Sequence, residues 1–99
     1  MKTIEPYIEQ IKKQLNHSTY AETMAHIGMH IQAWTAIQKG AGVSEKNAIR
    51  IAQILSIDPM EIIAISMALR AKNKEIRDFW LKQAKNSENQ RLKSRQDEK

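Results

Sequence analysis

Between Thr19 and Gly40 the chain reads TYAETMAHIGMHIQAWTAIQKG, and no other stretch constrains the fold as much. Thr19 and Glu22 have the spacing of a capping box, in which a hydroxyl and a carboxylate satisfy the free backbone N–H groups at a helix start. Met24 and Ile27 then share one helical face. Gly28 follows where a chain turning sharply out of a helix needs a positive φ, which glycine adopts at no steric cost. Trp34 and Ile37 repeat the apolar pair on the next helix, and Lys39-Gly40 closes it. The spacing predicts helices over Tyr20–Ile27 and about Ile31–Gln38, hinged at Gly28.

Helical spacing of apolar residues continues on both sides, and no convincing strand alternation occurs. Ile4, Ile8, Ile11 and Leu15 form a stripe that predicts a helix over about Glu5–Leu15, with Pro6 in its first turn. Lys39-Gly40-Ala41-Gly42-Val43 reads as a loop whose two glycines allow a close backbone approach. Ser44 is placed to cap a helix over Glu45–Leu55. Its Ala48, Ile51, Ala52 and Leu55 face inward, and Lys46, Asn47, Arg50 and Gln53 face out. Asp58-Pro59-Met60-Glu61 combines an N-cap, a first-turn proline and a glutamate three residues on, and starts a helix expected to run from Pro59 to about Ala71. That helix is apolar almost all round, so it must be covered on more than one side. Asn73 caps a last helix, Lys74 to about Lys85, whose Ile76, Phe79 and Trp80 are the obvious cover, within the chain or across a dimer. From Asn86 to Lys99 the one apolar residue is Leu92. Composition predicts disorder there, because so little can be buried.

The 99 residues suffice for one core and not two, and 41% hydrophobic content is ordinary for a globular chain, so a single folded domain is expected. There are no cysteines, which excludes disulfides, thiolate zinc sites and cysteine nucleophiles. No secretory signal pattern and no membrane-length apolar run is present, and a cytoplasmic protein is expected. The net charge of +5 is lopsided: residues 1–40 carry +1, residues 41–70 carry none and residues 71–99 carry +4. A basic balance fits a nucleic-acid partner, but charge argues less than pattern here. Two short helices hinged at a glycine, the second with an uncharged outer face, have the layout of a helix-turn-helix, whose second helix enters the DNA major groove.

The stretch from Tyr20 to about Leu69, half of the chain, resembles the DNA-binding domains of phage repressors of the lambda repressor and Cro class. The glycine-centred turn, the apolar Trp34 six residues after Gly28, the closing Lys39-Gly40 and the segment SEKNAIRIAQILSIDPMEIIA carry the resemblance. It implies an all-α, five- to six-helix lambda-repressor-like domain over residues 1–85, binding DNA and dimerising, followed by a disordered basic tail over residues 86–99. It further implies a sequence-specific transcriptional regulator, a repressor of phage or mobile-element type. Such a protein binds a pseudo-palindromic operator in double-stranded DNA as a homodimer. Met24 stands where such proteins most often carry alanine, so a wider or re-angled helix crossing is expected; the aromatic they often carry where Ile37 stands has moved one helical turn to Trp34, a shift that can conserve volume.

By the same resemblance His30, Ile31, Gln32 and Ala36 map onto positions that reach base edges, and Thr35 reaches a base or a phosphate. A glutamine amide can pair with adenine, and an isoleucine can meet a thymine methyl. Tyr20, Lys39, Lys46 and Arg50 are the candidate phosphate ligands. Lys12 and Lys13 read as a solvated face. Ile65, Leu69, Ile76, Phe79 and Trp80 are the candidate dimer interface. His26 and His30 have a metal-ligand spacing, but Gly28 places them on different helices, so no metal and no cofactor is expected. No nucleophile–base pair or phosphate-cradling loop is evident, so the chain is expected not to be an enzyme. Two rival readings remain: an antitoxin of the same fold, whose last helix and tail carry a regulatory protein partner, and a helical interaction adaptor without DNA binding.

Overall fold

The computed structural model describes the backbone of residues 2–97 and the side chains of residues 2–93. Six α-helices follow one another with no strand among the described residues: α1 (Glu5–Gln14), α2 (Tyr20–Ile27), α3 (Ile31–Gln38), α4 (Glu45–Leu55), α5 (Pro59–Arg70) and α6 (Lys74–Asp97). The starts are set by local chemistry that the sequence displays. Thr19, Ser44 and Asp58 each accept a hydrogen bond from a backbone N–H two or three residues on, at 3.2, 3.2 and 2.9 Å. Such caps are worth about 1 kcal/mol each. Asn73 does the same for α6, accepting from the Ile76 N–H at 2.8 Å.

One apolar core joins α1 to α5 and reaches α6 at Ala84. Ile4, Ile8 and Ile11 are fully buried, as their stripe requires. The almost uniformly apolar α5 is covered from both sides, by α4 and by α6 of the same chain. Ile65 is therefore fully buried inside the chain and cannot line a dimer interface as expected.

The last helix departs furthest from expectation. It runs on past Lys85 to Asp97, so the segment expected to be disordered is helical as far as it is described. Residues 98 and 99 lie outside the described residues. Composition misled because the segment docks through polar groups. Glu61 does not fold back to cap α5; it is fully buried and binds the two ends of the chain together. The Tyr7 hydroxyl donates to its Oε2 at 2.5 Å, and Arg91 donates from Nε to Oε1 at 3.2 Å and from Nη2 to Oε2 at 3.3 Å. Lys2 pairs with Glu88 beside this cluster. With Ala84 and Ser87 buried and no glycine or proline beyond, a helix already nucleated on α5 propagates without a second nucleation cost, each added residue gaining a hydrogen bond.

Tyr7 is the titrating witness of this cluster. Burial, then the hydrogen bond to Glu61 and its negative charge, push the phenol well above its ordinary value of 10.0, while Arg91 acts in the opposite sense.

Candidate nucleic-acid interface

The α2–α3 pair is held by backbone geometry that begins at Gly28. It adopts φ 98° and ψ 27°, the left-handed conformation expected of it. Its N–H donates to Met24 O at 3.0 Å and to Ala25 O at 3.1 Å, and the Met29 N–H donates to Met24 O at 2.8 Å. These bonds satisfy carbonyls that end α2. At the other end, Glu22 accepts from the Ser18 N–H at 3.3 Å, one residue earlier than a capping box requires. Met24 is fully buried at the crossing, with Trp34 and Ile37 almost fully buried beside it.

Burial of Trp34 and Ile37 fixes which face of α3 turns outward. Ile31 keeps 40% of its surface exposed, and Gln32, Thr35 and Ala36 are exposed along the same side. The outer face therefore offers an amide, a hydroxyl and two apolar groups, with no charge anywhere in α3. His30 is exposed as well, but it is the N-cap: its Nδ1 accepts from the Gln32 N–H at 3.2 Å, which leaves Nε2 to face outward chemistry.

The four expected phosphate ligands do not form one cluster. Tyr20, at the first turn of α2, is half-buried and stacks on Trp34, with ring centroids 4.2 Å apart and planes 11° from parallel. The Lys12 amine, read from sequence as part of a solvated face, lies over the Tyr20 ring, 5.0 Å from its centroid. This three-layer stack ties α1, α2 and α3 together, so Lys12 belongs to the support of α3. Lys39 is the C-cap of α3 and is exposed. Lys46 and Arg50 project from α4 into a groove of about 420 Å³ that also touches His26 and Gly28, at the opposite end of the α2–α3 pair from Tyr20. Arg50 donates to His26 O at 3.4 Å.

The loop after α3 is anchored by residues that sequence reasoning did not single out. The Val43 N–H donates to Ser66 Oγ at 3.0 Å, and Arg70 donates to Val43 O at 2.6 Å. Gly42 sits so close to α5 that a Cβ there would meet Ser66 Cα at 2.9 Å. The glycine was the legible trace of this approach; its partner on α5 left none.

Of the remaining interface candidates, Leu69 and Trp80 are half-buried against the core. Ile76 and Phe79 stay 48% and 53% exposed, and Phe79 packs edge-on to Trp80 at 5.1 Å. Among the described residues, no three histidine, aspartate or glutamate side chains converge on a common metal position, and no helix is long and apolar enough to cross a membrane. No known protein family, no curated protein and no solved structure matches the chain.

Proposed function

We propose that this chain is a sequence-specific DNA-binding regulator of transcription, a helix-turn-helix protein of the phage-repressor kind that lays α3 in the major groove. The observation that carries the reading is the two-sidedness of α3. Trp34 and Ile37 lock its inner side, and Gln32, Thr35, Ile31 and Ala36 form an uncharged, exposed outer side. Such a face suits base edges, where hydrogen bonds and methyl contacts specify sequence. Lys39, Lys46 and Arg50 flank it and supply phosphate contacts that position the helix without reading sequence.

One such helix covers only a few base pairs. A two-fold dimer reads two half-sites about one helical turn apart, near 34 Å. With Ile65 inside the chain, the dimer contact falls to Ile76 and Phe79, with Leu69 and Trp80 behind them. The same exposed pair keeps a second reading in view, an antitoxin whose α6 holds a protein partner.

Selection of bound duplexes from a random library tests the proposal. A pseudo-palindromic motif is expected, and affinity for it should fall steeply with salt through counterion release. Failure to enrich any sequence, together with no salt-dependent affinity for generic duplex, rules DNA binding out.

A further inference from the structure

We propose that His17 and His26 form a binding site for a divalent transition-metal ion, with zinc, nickel and copper as the chemical class. The inference is independent of the DNA reading. The two imidazole centroids lie 5.6 Å apart with planes inclined at 57°, too tilted for stacking. An imidazole nitrogen binds zinc at about 2.0–2.1 Å, which places two ring centroids roughly 5–6 Å apart across a tetrahedral angle. The centroid separation therefore falls within the range that two imidazoles sharing an ion require.

One tautomer of His17 suits metal binding. Its Nδ1 is 2.9 Å from Thr23 Oγ1. Thr23 is fully buried, and its hydroxyl donates its one proton to Thr19 O at 3.4 Å. With that proton directed to Thr19 O, the hydroxyl oxygen accepts from His17 Nδ1–H, and this tautomer leaves Nε2 with a free lone pair. A ring nitrogen that donates to a fixed acceptor while the other stays bare is the arrangement that orients metal-binding histidines. His26 is exposed, and its ring makes no hydrogen bond among the described residues.

The backbone setting favours a cation. His17 follows the end of α1, where its N–H donates to Lys12 O at 3.0 Å, and His26 lies in the last turn of α2. Both helix ends carry partial negative charge. Arg50, bonded to His26 O, opposes a cation, and two protein ligands leave water in the remaining positions. The site is thus open and exchangeable, and occupancy would clasp the α1–α2 corner to the turn of chain that precedes Gly28.

The test is titration of the full chain with Zn²⁺ and Ni²⁺ separately, followed by calorimetry and thermal unfolding at a fixed pH. One equivalent is expected to bind and to raise Tm, as any ligand selective for the native state must. His26→Ala, at an exposed position, should weaken binding by at least about tenfold, as should His17→Ala. His30→Ala, which removes the remaining histidine, should change it by less than about twofold. Circular dichroism at the working temperature establishes that each variant is folded. No binding of either ion by the unaltered chain at millimolar concentration overturns the proposal. So does undiminished binding by folded His26→Ala, or an equal loss in His30→Ala.

Discussion

Replacing Arg91 by alanine probes the least expected contact in the fold. Glu61 has no exposed surface, and among the described residues Arg91 supplies two of its three side-chain hydrogen bonds, at 3.2 and 3.3 Å. Without the guanidinium a carboxylate is left in the core with only the Tyr7 hydroxyl. Breaking a buried pair from one side costs about 3–5 kcal/mol. The Arg91 side chain keeps 25% of its surface in water, so the lower end, about 3 kcal/mol, is the working figure. For a domain of this size that lowers Tm by roughly 12 °C or more. Chemical denaturation followed by circular dichroism measures the loss directly. Arg91→Met combined with Glu61→Met should cost far less than Arg91→Ala, because the pair is then removed whole and replaced by apolar volume. An Arg91→Ala protein within about 0.5 kcal/mol of the parent would behave as a surface change does and contradict a buried Arg91–Glu61 pair. It would mean that α6 does not dock beyond Lys85.

Tyr7 gives the same cluster a pH signature: its folded pKa lies above its unfolded value of 10.0, so its stabilising contribution is complete below pH 10 and is lost as pH rises beyond it. The stability difference between parent and Tyr7→Phe should therefore shrink by about 1.4 kcal/mol per pH unit above that point, measured by urea titration, and a constant difference would contradict it. Gly28→Ala should cost about 1 kcal/mol from backbone strain alone, because φ is 98° while nothing lies within 4 Å of the added Cβ; an unchanged Tm would deny the left-handed turn. Phe79→Ala with Ile76→Ala should weaken self-association by a few kcal/mol in sedimentation while leaving the fold intact, since both side chains are about half exposed, and an equally tight dimer would place the interface elsewhere.

How much was legible depended on how far each determinant reached along the chain. Thr19, Gly28, Ser44 and Asp58 act on residues within a few positions of themselves, and the helices they bound were readable to within a residue. The α6 extension rests on Arg91 reaching back 30 residues to Glu61, and composition, which treats residues 86–99 as a bag of polar groups, carries no record of that pairing. Glu61 itself matched a capping pattern and so hid its role in the core. The apolar surround of α5 showed that something must cover it without showing what. Ile65 thus reads as outward-facing from sequence, whereas the cover over α5 within the same chain buries it. On the candidate interface, the outward face of α3 followed from the Trp34–Ile37 spacing. The stack of Lys12 on Tyr20 on Trp34 did not, because it joins three helices by tertiary geometry.

Whether α3 reads bases through Gln32 is decided by paired binding curves. Gln32→Ala is measured on the selected site and on random duplex, with Lys39→Ala as the contrast. Gln32 is exposed and neutral, on the outer side of α3, so its loss should cost about 1–3 kcal/mol on the selected site and relax preference at one base pair per half-site. Affinity for random duplex should barely change. Lys39→Ala should weaken both duplexes alike and reduce the salt slope by roughly one. If Gln32→Ala lowers both affinities equally, or neither, Gln32 does not read a base and the placement of α3 in the groove is contradicted.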